Sequence, residues 1–320
     1  MKKTIGIPRG MLYYEFFPLW EAFFMEIGYE VISSPKTNKD ILDMGIEACV
    51  DEACLPVKIF HGHVEYLKDK VDYIFIPKIT SLYKREYCCP KILGLPYMIK
   101  NSIDDLPEII DIEINTDRKG KFEGSYGKVG KYLNISRREA IRAYRKIEDN
   151  KDKNREWLNN IMPKNPLRNK TERIINILLL GHSYNVFDEF MNMGILDKLS
   201  NRDIRIIVAE DVSEEDIRMY SDKIPKRMFW THGRRSIGSA FKLIEDEKID
   251  GIIYLSSFGC GLDSVLVHLV SYRAVENNIP IMELTLDEQT GEAGFNTRLE
   301  AFLDMMKWRN RNEDNISPSR

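Results

Sequence analysis

Residues 174–181, IINILLLG, form an apolar run of strand length closed by a glycine, and a helical apolar pattern follows from Val186 to Leu199. Short apolar runs separated by helical stretches are the signature of βαβ units in a parallel sheet. Working outward, Ile204–Ala209 is the next strand, and a helix starts near Ser213, where Glu214 and Glu215 suit a helix N-terminus. GIIYL at 251–255, a helix over Ser264–Glu276 and a strand over Ile279–Leu286 make another unit, with a closing helix at Thr297–Trp308. Upstream the rhythm is the same. TIGIP at 4–8 is a strand, a helix over Phe16–Ile27 stops at Gly28, and EVIS at 30–33 is a second strand. A short helix at Lys39–Met44, a longer one over Val57–Lys68 and the strand VDYIFI at 71–76 follow.

Between 101 and 170 this alternation breaks down. Residues 136–157, SRREAIRAYRKIEDNKDKNREW, are helical by propensity and laced with both charge signs, as in a solvated connector or a docking surface. The expected organisation is an N-terminal α/β domain over 1–100, a helical and irregular connector over 101–170, a C-terminal α/β domain over 171–310 and a frayed tail over 311–320. A length of 320 residues suits two domains at ~150 residues each.

Composition narrows the function classes. The chain is 43% hydrophobic and 30% charged, and 47 basic against 50 acidic residues give a net charge of −3. Such a balance gives no electrostatic reason to expect nucleic acid or a membrane surface as partner. No apolar run approaches the ~18 residues that span a bilayer, and MKKTIGIPRG lacks a signal-peptide core, so a soluble cytoplasmic protein is expected. GSYGKVGKY at 124–132 fails as a P-loop, since its glycine spacing is wrong and Tyr132 stands where Ser or Thr must hold magnesium. No G-x-G-x-x-G follows an expected strand, so a dinucleotide fingerprint is missing too.

The five cysteines carry the chemistry. In a long chain without a secretion signal they are not a disulfide framework. Cys49 and Cys54 form a C-x4-C pair in EACVDEACLPVK, Cys88 and Cys89 are adjacent in YCCPK, and Cys260 stands in SSFGCGLDS. None of this is the double C-x2-C of a zinc ribbon. Cys54 lies two residues before Pro56, where a helix should begin, and Cys89 directly precedes Pro90. Cys260, between two glycines, follows one expected strand and precedes a helix. Loops at the carboxyl ends of parallel strands face the ligand crevice, and helix N-termini stabilise thiolates. A lone cysteine is ordinarily a buried core residue. Three of them in such loops point instead to ligands for iron–sulfur or zinc.

Other candidates are weaker. His61 and His63, two apart on an expected helix, do not share a face and so do not ligate together. Either could stand behind a cluster as a hydrogen-bond donor to sulfur. His182, at the end of the 174–181 strand, could face the crevice, and Arg9, just after the first strand, could bind a phosphate or carboxylate.

The stretches IPRGMLYYEFFPLWEAFFMEIGYEV, VDEACLPVKIFHGHVEYL, CCPKILGLP, SSFGCGLDS and DEQTGEAGFNTRLEAF together resemble the 2-hydroxyacyl-CoA dehydratase-like proteins, in particular the branch related to acyl-CoA dehydratase activases. The resemblance spans most of both α/β halves and weakens between 101 and 170. It implies two Rossmann-like parallel-sheet domains with an interdomain cleft, a helical connecting segment, and a [4Fe-4S] cluster in the cleft. By motif the cluster ligands are Cys54, Cys89 and Cys260, with Cys88 as the alternate to Cys89, and Cys49 either a further ligand or a core residue. It further implies reduction by an external actin-like-fold ATPase, the activase, itself an iron–sulfur dimer, and a possible second dehydratase-like subunit. The reaction would be that of a dehydratase-like lyase or an ATP-dependent reductase component. The double-cubane relatives use six cluster cysteines, which this chain lacks, so a single cubane is implied. Two other readings stay open: a non-catalytic electron-transfer or accessory subunit, and a structural zinc protein.

Overall fold

The computed structural model describes residues 2–116, 122–148, 152–163, 174–200, 202 and 204–315. The chain divides into two compact units, Met1–Met162 with Phe229–His232, and Pro163–Met228 with Gly233–Arg320. Both are α/β, with parallel sheets flanked by helices in Rossmann-like fashion.

Unit 1 runs β1 (Thr4–Ile7), α1 (Tyr13–Glu26), β2 (Glu30–Ser33), α2 (Lys39–Glu47), α3 (Leu55–Leu67), β3 (Tyr73–Phe75), β4 (Lys78–Ser81) and α4 (Pro90–Ser102). It continues with β5 (Glu108–Ile110), β6 (Glu113–Asn115), α5 (Phe122–Tyr126), α6 (Gly130–Leu133), α7 (Arg137–Glu148) and α8 (Asp152–Ile161). The sheet order is β2-β1-β3-β5, all parallel, with β4 and β6 forming a separate parallel pair. The expected single helix over 136–157 is two helices, α7 and α8, and residues 149–151 lie outside the described residues. Strands β5 and β6 fall where the sequence pattern was expected to break down.

The core of unit 1 is aromatic. Phe75 meets Trp20 and Phe24 edge-on at 5.3 and 4.9 Å, and the Trp20 indole N–H donates to the Tyr126 hydroxyl at 3.1 Å. Helix α2 begins at Asn38, whose side chain accepts the Ile41 N–H at 3.0 Å. It crosses α3 at two glycines: a Cβ on Gly45 would lie 1.9 Å from the Lys58 carbonyl oxygen, and one on Gly62 would lie 1.8 Å from that of Ile41. Only glycine permits this approach. Gly6 faces Leu67 and Gly10 faces Phe60, so α3 runs back along β1 and starts beyond the strand's carboxyl end.

Unit 2 runs β7 (Ile175–Gly181), α9 (Ser183–Phe187), α10 (Ile195–Ser200), β8 (Ile204–Val208), α11 (Glu214–Ser221) and α12 (Thr231–Glu245, entered from the unit 1 segment). Then come β9 (Gly251–Ser257), α13 (Asp263–Glu276), β10 (Ile281–Leu286) and α14 (Glu292–Asn315). The parallel order is β10-β9-β7-β8. Every residue of β9 is buried, and Leu178, Leu180, Ile252 and Tyr254 join Ile237, Phe241 and Leu266 in one core.

The expected helix over Val186–Leu199 is broken. Buried Asp188 accepts the N–H groups of Phe190 and Met191, and buried Asn192 donates to the carbonyls of Asn185 and Val186 while accepting from Gly194 N–H. These side chains hold the backbone groups that a continuous helix would pair with each other. Ser213 caps α11, accepting the Asp216 N–H at 3.1 Å.

Candidate functional site

In unit 2 the chain leaves β7 toward β8 on one side, and β9 toward β10 on the other. The carboxyl ends of β7 and β9 are therefore the point where strand order reverses, the place where open α/β sheets bind ligands. Gly181 ends β7. A Cβ there would sit 2.6 Å from the Leu255 carbonyl oxygen, so the glycine lets the two strand ends close up. Asn185, fully buried one turn later, donates to that same carbonyl at 3.2 Å and accepts the Ser257 hydroxyl at 2.9 Å. The first turn of α9 is thereby fixed against the end of β9.

His182 and Cys260 meet across this junction. The His182 Nε2 is 3.9 Å from the Cys260 Sγ and 3.3 Å from an Asp263 carboxylate oxygen. Asp263 also accepts the Tyr254 hydroxyl at 3.0 Å and the Ser257 N–H at 3.4 Å, and its own N–H points to the Cys260 sulfur at 3.5 Å. His182 and Asp263 are buried while Cys260 is half-buried, and the three ligand atoms lie within 4.8 Å of one another, a group that could bind a metal. Burial alone would pull the His182 imidazole down, but the Asp263 carboxylate, with Cys260 behind it, raises it well above its ordinary value. For Asp263 burial pushes up and His182 and Tyr254 pull down, leaving the carboxyl below its ordinary range. The pair is thus an ion pair, imidazolium against carboxylate.

In unit 1, Cys54 and Cys89 occupy equivalent positions, each the residue preceding a helix with proline in its first turn, α3 and α4. Both are half-buried, and neither sulfur caps its own helix. Cys49, half-buried beside them, is raised by burial and responds to the charges of Lys58, Cys54 and Lys91, the last two residues beyond Cys89. Helices α3 and α4 are themselves in contact. Cys88 is different: it is 2% exposed, its N–H donates to Thr80, and burial, with Glu15 and Cys89, pushes its thiol far up.

The other sequence candidates are partitioned in unit 1. His61 Nδ1 bonds the Val57 carbonyl at 2.8 Å, and burial lowers its pKa. His63 Nε2 contacts the Thr37 hydroxyl at 3.1 Å, and burial, aided by Arg9, holds it down to about 3. Arg9 is half-buried, its N–H donating to Ser34 Oγ at 2.8 Å and its guanidinium 5.3 Å from the Tyr13 ring centre. Cys54 and Cys89 belong to unit 1, and His182 and Cys260 to unit 2.

The donor set fits an iron–sulfur group. Half-buried thiols at helix starts lie at positive dipole ends, which favour thiolate and an anionic cluster. Fold and site thus define an α/β protein with a candidate metal-binding group at the ends of parallel strands. The chain belongs to the family described as the CoA enzyme activase uncharacterised domain, whose model matches residues 4–212, and residues 137–306 match the 2-hydroxyglutaryl-CoA dehydratase D-component. It is therefore a component related to the dehydratase and activase system. No curated relative matches the chain. A crystal structure of an NtrC family transcriptional regulator from Clostridium acetobutylicum aligns over 97% of this chain and 100% of its own, at 12% identity. With a TM-score of 0.18, that likeness carries no argument. Among the described residues no helix is long and apolar enough to cross a membrane.

Sequence reasoning missed Asp263, Asn185 and Tyr254. Asp263 had a legible signal, three residues after Cys260 at the start of an expected helix; Asn185 and Tyr254 acquire their roles only through tertiary contacts.

Proposed function

We propose that the chain is a cytoplasmic single-cubane iron–sulfur component of a 2-hydroxyacyl-CoA dehydratase-like system, with Cys54, Cys89 and Cys260 as cluster ligands. The observation that carries the reading is the shared setting of Cys54 and Cys89, half-buried thiols at the starts of two neighbouring helices. Cys260, at the carboxyl end of β9, completes the set. Bound there, the cluster would supply a low-potential electron, delivered by a partner ATPase that hydrolyses ATP, and an open iron for a small or acyl-CoA substrate. The chain's residues hold the thiolates: Cys54 and Cys89 stand at the positive ends of α3 and α4, and the Asp263 N–H faces the sulfur of Cys260. Cys88, buried with its thiol pushed up, is the poorer ligand of the adjacent pair. Cys49 is read as a core residue, and His61, His63 and Arg9, bonded to Val57, Thr37 and Ser34, are not assigned as ligands.

Anaerobic purification with iron, zinc and sulfide analysis and an absorption spectrum tests this. A brown chain with about four irons and four sulfides supports it, with content lost in Cys54→Ala, Cys89→Ala and Cys260→Ala and kept in Cys88→Ala. A colourless chain without iron after anaerobic reconstitution overturns it. The activase description of residues 4–212 favours a second reading, a non-catalytic electron-transfer subunit. An ATP-dependent assay on acyl-CoAs with an activase, with and without a second dehydratase-like subunit, separates the two.

A further inference from the structure

Two close approaches fix how α2 and α3 lie against each other. Gly45 faces the Lys58 carbonyl and Gly62 faces that of Ile41, so the helices run antiparallel, with position 45 across from 58 and 41 across from 62. One further helical turn along each, away from Ile41 and Gly62, leads to Cys49 and Cys54. These two flank the connecting turn, which the Ala53 N–H closes on the Val50 carbonyl at 3.1 Å. The C-x4-C spacing thus brings two thiols to the mouth of a helical hairpin.

Lys58 stands one turn inside that mouth. Its N–H donates to the Cys54 carbonyl at 3.3 Å, and the residue is only 3% exposed. Lysines seldom lie so deep, because an ammonium gives up its water there. Its charge acts on the hairpin mouth: the Cys49 thiol, raised by burial, is drawn back by the Val50 backbone and by Lys58.

We propose that Lys58 sets the electron affinity of an iron–sulfur group held at Cys54, as a buried positive charge one turn along α3 from the ligand. This rests on the cluster reading and adds to it the residue that eases reduction. A cubane on three thiolates is an anion, and each electron taken from a low-potential donor adds one negative charge. A protein interior opposes that charge, and a fixed ammonium nearby offsets the opposition. No bond forms or breaks at Lys58 and no proton moves; the side chain acts through its field alone. It is a positioning residue for charge rather than a ligand.

The test is an anaerobic redox titration of the reconstituted full chain with titanium(III) citrate. The electron paramagnetic resonance signal of the reduced cluster is the readout, with iron and sulfide counted in every protein. Lys58→Met and Lys58→Gln remove the charge, and Lys58→Arg keeps it. Both uncharged variants should retain about four irons and four sulfides. They should bind the electron about tenfold or more weakly, a midpoint at least about 59 mV lower. Lys58→Arg should stay within about threefold of the parent, since the charge is kept while the shape changes. Lys58→Gln stands as the reading if Lys58→Met misfolds by circular dichroism. An unchanged midpoint in the uncharged variants, with iron retained, overturns the proposal and leaves the cluster reading in place. Iron loss in Lys58→Arg, or a shift there as large as in Lys58→Met, means that shape and not charge matters at position 58, and overturns it too. A parent chain that takes up no iron removes the cluster reading and this proposal together.

Discussion

Acidification from pH 7 to pH 5 should weaken unit 1 by about 2 kcal/mol through His63 alone. The side chain is wholly buried, and burial with the nearby Arg9 charge holds its pKa to about 3 against an ordinary 6.5. The folded state keeps it neutral, whereas the unfolded chain takes up a proton below about 6.5. The stability it contributes is therefore complete above that value and is lost as pH falls toward about 3. At pH 5 the unfolded histidine binds its proton about 30-fold over, which is about 2 kcal/mol, and at pH 3 the loss is about 4 kcal/mol. Urea unfolding of the full chain followed by tryptophan fluorescence reads mainly unit 1, because Trp20, Trp157 and Trp230 lie there and the fourth, Trp308 of unit 2, is already 69% exposed. His63→Gln, which keeps a polar group toward Thr37 but cannot charge, should lack that share of the pH dependence. Buried His61 shifts in the same direction but is common to both proteins, so it cancels in the comparison. Equal losses between pH 7 and pH 5 in the two proteins would refute the assignment.

Two further outcomes follow from packing and hydrogen bonding. Gly62→Ala forces α2 and α3 apart at the Ile41 carbonyl and should cost about 3 kcal/mol or more in the unit 1 transition; a loss below 1 kcal/mol would mean the crossing is looser than described. Tyr254→Phe removes a buried hydroxyl donor from the Asp263 carboxylate and should destabilise unit 2 by about 2 kcal/mol, seen in hydrogen exchange of β9 amides, with unit 1 fluorescence unchanged.

The parallel α/β class was legible because buried strands such as IINILLL and GIIYL are continuous apolar runs bounded by glycine or helix, a signal that needs no tertiary knowledge. Helix starts at Cys54 and Ser213 were legible for a similar reason, since proline and capping residues act locally, whereas α4 after Cys89 was not read as a helix. The break between α9 and α10 was not, because Asp188 and Asn192 read as ordinary polar positions on a helix until burial obliges them to bond the backbone. Strands β5 and β6 were passed over although 109–114, IIDIEI, is rich in isoleucine; at three residues each they are too short for a periodicity to stand out. At the candidate site, sequence brought His182 and Cys260 to strand ends, but their meeting depends on β7 and β9 being neighbours. That is a property of strand order, and no local pattern encodes it.

Residues 229–232 belong to unit 1 although unit 2 residues flank them on both sides. There Tyr87 bridges to Trp230 in parallel fashion, and buried His232 pairs with Glu15 at 3.0 Å. An N-terminal unit ordinarily finishes folding while the ribosome is still making the next one. Here it has to wait: Glu15 and Tyr87 are without these partners until residue 232 has emerged, when much of unit 2 is already synthesised. The order of synthesis thus couples completion of the first unit to progress through the second, and a nascent chain stalled before 229 carries an N-terminal unit that is still unfinished.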